Sequence, residues 1–266
     1  MCFDFDALPP DLPPGRALPR VAGGAAAESL TLESADGTRF AAALAESPRS
    51  GEVGVVVLPD VRGLYRFYVE LAERFAEAGH DAIAIDYFGR SAGVGTRAED
   101  FDCWPHVAQV ETAKLQADVG AAIALLRERT DVSSIVTVGF CFGGSHSFIA
   151  ATSPELGLDG AVGFYGMLLA ERGGLDYLPS PLRGAEATRA PVLGLFGGAD
   201  QVIPPEDVAA FETALTAAGV EHELVTYEGA PHSFFDRSAA AHARASADAW
   251  ERVLDFLARA PVASAA

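Results

Sequence analysis

Ile135-Val136-Thr137-Val138-Gly139-Phe140-Cys141-Phe142-Gly143-Gly144 carries a β-branched run straight into a cysteine framed by glycines. A strand that ends in G-x-C-x-G and enters a helix must turn sharply. Glycines then stand where a Cβ would collide, and the central side chain is pushed out of the sheet. Such a turn presents a nucleophile. A thiol attacks only as thiolate, so Cys141 in that role requires a base within reach, and the base requires an acceptor to orient it. The other role open to Cys141 is that of a small buried hydrophobe, common for free cysteines.

Outward from this elbow the chain repeats strand, loop and helix. Upstream, Val53 to Leu58 reads as a continuous apolar strand, residues 68–78 as a helix stopped by Gly79, residues 81–86 as a strand, and residues 107–128 as a helix after a long loop (87–105). Downstream, the elbow helix extends to about residue 151, and residues 161–165 and 192–196 read as further buried strands. Between them lies an irregular insertion (167–189) expected to lie over a pocket. Residues 205–218 form a helix with an early proline, 221–227 a last strand and 239–260 a closing helix. Near the start, residues 29–34 and 39–45 alternate polar and apolar around Asp36-Gly37, a hairpin signal. The expected fold is α/β: a mostly parallel sheet covered by helices on both faces, opened by a short antiparallel hairpin. Residues 1–27, rich in Pro, Gly and Ala, read as an extended arm, and residues 28–266 as one domain.

Composition narrows the function classes. Over 266 residues the formal net charge is -18, which argues against nucleic acid or an anionic membrane as partner, since both require a dense basic surface. Three cysteines, Cys2, Cys103 and Cys141, have neither C-x-x-C nor metal-like spacing, so a disulfide framework is not expected. His80, His106, His146, His222 and His242 share no ligand spacing with carboxylates, and neither metal nor cofactor is expected. No apolar run reaches a membrane span and the N-terminus lacks a signal-peptide pattern, so the cytoplasm is the expected compartment.

Ligands of parallel sheets bind beyond the carboxyl ends of the strands. The polar residues placed there are Asp60, Asp86 with Arg90, Cys141, Asp200 and His232, and they are expected to share one cleft. Asp200 follows a strand in Gly197-Gly198-Ala199-Asp200, and His232 follows the last strand in Ala230-Pro231-His232-Ser233-Phe234. Nucleophile, acid, histidine is the chain order of α/β-hydrolases. Singly, Asp200 reads equally as a turn residue and His232 as a surface histidine; together, each after a strand, they complete a Cys-His-Asp triad.

With these motifs the chain resembles the dienelactone hydrolase family of α/β-hydrolases, from about residue 53 to 257. The resemblance implies hydrolysis of a small ester or lactone through an acyl-thioester on Cys141, with His232 as base and then acid and Asp200 as its orienter. It also implies an oxyanion hole from the backbone N–H groups of Val61 and Phe142. A family glutamate that holds the resting thiol corresponds to Asp60, one methylene shorter. Arg90, in Asp86-Tyr87-Phe88-Gly89-Arg90, matches one family arginine that binds a substrate carboxylate. The second falls at Asp236, with Arg237 displaced by one residue. Arg62 is a further candidate clamp, and Tyr165 a candidate wall of the acyl pocket. The alternative function is a non-catalytic small-molecule binding protein on the same fold.

Overall fold

The computed structural model describes residues 4–18, 26–49, 51–236 and 240–260. Eight strands form one sheet: β1 (Glu28–Glu33), β2 (Arg39–Ala45), β3 (Val53–Leu58), β4 (Ala82–Ile85), β5 (Ser134–Phe140), β6 (Gly160–Phe164), β7 (Val192–Gly197) and β8 (His222–Tyr227). Their order is β1-β2-β4-β3-β5-β6-β7-β8. The β1–β2 and β2–β4 pairs are antiparallel and the other five pairs parallel. Every residue of β3 and β5 is buried, as a strand covered on both faces requires.

The helices are α1 (Arg66–Glu77), the short turns α2 (Gly89–Ala92) and α3 (Trp104–Val107), α4 (Thr112–Arg129), the elbow helix α5 (Phe142–Ala150), the short α6 (Pro181–Gly184), α7 (Pro205–Ala217) and α8 (Ala243–Arg259). They divide the core in two. Val55 and Val57 face a cluster containing Phe67, Phe75, Phe211 and Trp250. Val56 and Leu58 face another containing Leu115, Val119 and Ile123 of α4. Alternation along β3 thus feeds both faces of the sheet.

One expectation requires correction. The helix expected over 107–128 is α4, starting at Thr112; residues 104–107 form the separate turn α3, whose Val107 carbonyl accepts the Tyr177 hydroxyl at 2.7 Å. The described part of the N-terminal arm, residues 4–18, forms no helix or strand and lies against the rest of the chain. Ala7 is buried, Phe5 and Leu12 lie against the core, Arg16 pairs with Glu251 at 2.8 Å on α8, and the Leu18 N–H donates to the Glu77 carbonyl at 2.8 Å. Among the described residues no helix is long and apolar enough to cross a membrane.

Registry brings the strand ends level. Leu58 pairs with Gly139, Phe140 with Phe164, and Gly197 with Tyr227. The residues that follow these strands therefore emerge on one rim.

Candidate active site

Cys141 stands at φ 54°, ψ -112°, between β5 and α5. A positive φ at a residue with a Cβ is strained and persists only where the surroundings impose it. Here the glycines explain how. A Cβ on Gly139 would lie 2.0 Å from the Gly143 carbonyl oxygen, one on Gly143 2.1 Å from that of Leu58, and one on Gly144 2.7 Å from that of Phe164. The elbow is thus wedged against the ends of β3 and β6, and the Cys141 N–H donates to the Phe164 carbonyl at 2.9 Å. Among the described residues the other non-glycine positive φ values belong to Tyr165 and Ser233, one after β6 and the other beside His232. All three strained positions lie on the same rim.

The structure brings Cys141, His232 and Asp200 together. His232 Nδ1 is 2.6 Å from Asp200 Oδ2, and the imidazole also hydrogen-bonds the Cys141 sulfur. Asp200 is itself fixed, because its Oδ1 accepts the N–H groups of Val202 (2.8 Å) and Ile203 (3.3 Å). Burial works against the charged imidazole, but the hydrogen bonds and negative charge of Asp200 and Cys141 outweigh it, and the His232 pKa is pushed up to about 10. This favours an imidazolium beside the Cys141 sulfur, the kind of neighbour a sulfur nucleophile requires.

Val61 and Phe142 lie where β3 ends against the elbow. Phe142 is the first residue of α5, whose N–H has no partner within the helix. Among the described residues neither the Val61 nor the Phe142 N–H donates a hydrogen bond to a protein acceptor.

The other expected site residues are placed differently. Asp60 is fully buried, and both its oxygens turn to Arg62 rather than to the thiol. Oδ1 accepts the Arg62 backbone N–H at 2.8 Å, and Oδ2 accepts Nη2 at 2.9 Å. The shorter side chain curls back onto its neighbour's guanidinium. Arg62, only 6% exposed, stacks over the Tyr65 ring at 4.0 Å and donates to the Tyr65 hydroxyl, so it is no open clamp. Arg90 is held by Asp118 on α4 (2.5 and 2.8 Å) and by Asp36 of the hairpin (3.0 Å), two carboxylates that already occupy its fork. Asp86 accepts the N–H groups of Leu64 and Phe88 and pairs with Arg97 at 2.6 Å, serving the loops rather than the cleft. Tyr165 is fully buried and its ring packs 4.9 Å from that of His232, as a wall behind the base. Arg237 lies outside the described residues.

Sequence reading missed Arg97, whose place in an irregular loop carries no spacing signal. It also left out Tyr68, whose hydroxyl accepts the Asp60 N–H at 3.0 Å. The insertion packs over the elbow helix and leaves only a narrow crevice there. Met167, Leu175 and Leu178 close it against Phe142 and His146 of α5.

A family model described as the dienelactone hydrolase family matches residues 40–260. The chain belongs to the dienelactone hydrolase family. A relative from Escherichia coli O157:H7 named "Putative carboxymethylenebutenolidase" is 32% identical over 210 residues, covering 76% of this chain and 75% of its own. A crystal structure titled "Putative Dienelactone Hydrolase" from Klebsiella pneumoniae superposes with TM-score 0.77 at 28% identity, covering 88% of this chain and 98% of that one. A dienelactone hydrolase-like promiscuous phosphotriesterase from metagenomic libraries superposes with TM-score 0.70 at 25% identity, covering 88% and 99%. As a dienelactone hydrolase family member this protein is an ester or lactone hydrolase with the α/β-hydrolase fold.

Proposed function

We propose that the enzyme cleaves small esters or lactones through an acyl-thioester on Cys141. The Cys141 thiolate attacks the carbonyl carbon and the carbonyl electrons move onto oxygen. The N–H groups of Val61 and Phe142 receive the oxyanion, one such donor typically contributing about 10²-fold or more in rate. Collapse expels the alkoxide, which takes the proton held by His232. In a lactone the released alcohol stays tethered to the acyl group. His232 then removes a proton from water, whose attack on the thioester releases the acid and restores thiolate and imidazolium.

What carries this reading is the double engagement of His232, to Asp200 at 2.6 Å and to a cysteine sulfur raised on a strained elbow. A binding protein has no need for a base tuned between a carboxylate and a thiol. The substrate class is kept at small esters and lactones, since Arg62 and Arg90 can receive a substrate carboxylate only by giving up a partner.

A panel of p-nitrophenyl esters and five- and six-membered lactones, with mass spectrometry of the quenched enzyme, tests the proposal. Turnover is expected with an acyl adduct on Cys141, and Cys141→Ala should lower kcat by roughly 10⁴-fold or more. Turnover that survives Cys141→Ala, or tight ligand binding with no turnover, would overturn it.

A further inference from the structure

Asp60, Val61, Arg62 and Gly63 form a tight turn directly after β3 in which three donors can be accounted for one by one. The Gly63 N–H closes the turn on the Asp60 carbonyl at 3.0 Å. The Arg62 N–H is taken by Asp60 Oδ1 at 2.8 Å. The Val61 N–H, between them, is the donor that Asp60 leaves uncommitted. In a β-turn the N–H of the second residue points away from the closing hydrogen bond, so its direction follows from how firmly the turn is held.

The turn is held from several sides. The Arg62 guanidinium reaches back across Val61 to the same carboxylate, with Nε 3.3 Å from Oδ1 and Nη2 2.9 Å from Oδ2. That guanidinium is seated on the Tyr65 ring, which in turn stacks on Phe5 from the N-terminal arm at 6.1 Å. The Asp60 N–H is fixed to the Tyr68 hydroxyl of α1. Past the turn, Gly63 adopts φ +76°, and a Cβ there would lie 2.5 Å from Asp86 Oδ1.

We propose that Asp60 and Arg62 are positioning residues for the oxyanion hole, their ion pair closing around Val61 so that its N–H is aimed at the carbonyl oxygen of the substrate. The pair does not clamp a substrate carboxylate and does not restrain the thiol. This inference rests on the catalytic reading of Cys141 given above. A charged pair buried this completely contributes little net stability, because desolvation offsets most of the attraction, so its value lies in the conformation it imposes.

The test compares wild type with Arg62→Met, Arg62→Lys and the double variant Asp60→Asn/Arg62→Met, which leaves no buried charge unpaired and stays informative if the single change prevents folding. Three readings are taken: kcat and KM for a neutral and a carboxylate-bearing p-nitrophenyl ester, inhibition by an aldehyde that forms a thiohemiacetal, and alkylation of Cys141 by iodoacetamide. Alkylation displaces iodide from a saturated carbon and creates no oxyanion. The expected result is a kcat lowered by about 10- to 100-fold for both esters with KM changed less than about threefold. Aldehyde affinity should fall in parallel, alkylation rate and its pH profile should stay unchanged, and Arg62→Lys should recover part of kcat. A defect confined to the KM of the anionic ester would make Arg62 a substrate clamp and overturn the proposal. An altered alkylation rate or pH profile would place the pair's action on the thiol and overturn it equally. A wild type that forms no acyl-thioester, or is indifferent to Cys141→Ala, would instead defeat the catalytic reading itself.

Discussion

Three aspartates follow strands of this sheet and meet two different fates. Asp200, after β7, is paired with an imidazole; Asp60 and Asp86, after β3 and β4, are each paired with a guanidinium. The distinction is chemical. An imidazole can give up its proton within the working range, so the Asp200 half of the rim can move charge during a reaction. A guanidinium cannot, so the other half is electrostatically frozen and can only hold backbone in place. On the mechanism proposed above, one side of the cleft performs chemistry and the other provides its geometry.

The comparison is broken most directly by freeing one of the frozen carboxylates. Arg97→Met leaves Asp86 buried without its cation, and a loss of about 3–5 kcal/mol in folding stability is expected. The drop should appear in denaturant or thermal melts, while kcat at temperatures where the variant stays folded should change far less than in Asp200→Asn.

A smaller, pH-dependent effect sharpens the contrast. His232 has a folded pKa raised to about 10, above its unfolded value near 6.5. The stability it contributes is therefore fully present below about pH 6.5 and is lost as pH rises through about 10. Melting temperatures of wild type and Asp200→Asn, followed from pH 5 to 10.5, should lie furthest apart near the acid end and converge toward the alkaline end. The gap between wild type and Arg97→Met should persist across that range. Parallel curves for both variants would show that the two carboxylates are not held in different ways.

The least effect is expected at Arg90, which is tied to Asp36 and Asp118 away from the triad's own contacts. Arg90→Gln should leave KM for a carboxylate-bearing ester within about twofold of wild type and lower stability by about 1–3 kcal/mol, mostly through the buried Asp118 it abandons. A tenfold rise in KM confined to anionic esters would return Arg90 to the substrate site.

The parts legible in the sequence are those written in local pattern. The elbow could be read because only glycine tolerates the close approaches at positions 139, 143 and 144, and the resulting G-x-C-x-G spacing is conspicuous beside a β-branched strand. Cys141, Asp200 and His232 could be listed in order because each terminates a recognisable strand. The charges of the β3 and β4 loops could be listed too, but their partners could not. Sequence proximity groups Asp86 with Arg90, four residues on, yet it pairs with Arg97. Arg90 turned instead to residues 54 and 28 positions away. In the sequence Arg62 reads as an open clamp, because nothing there states whether a guanidinium faces solvent or its own neighbour.

By itself, then, the sequence determined the strand-and-helix alternation, the strained cysteine turn and a candidate base and acid for it, because these depend on contacts within a few residues or on the order of strands in one sheet. Only the tertiary structure decided which aspartate meets an imidazole and which meet a guanidinium. That choice depends on which cation the packing of distant loops brings within about 3 Å of each carboxylate, and attraction between buried charges of opposite sign is settled by distance in space and not along the chain.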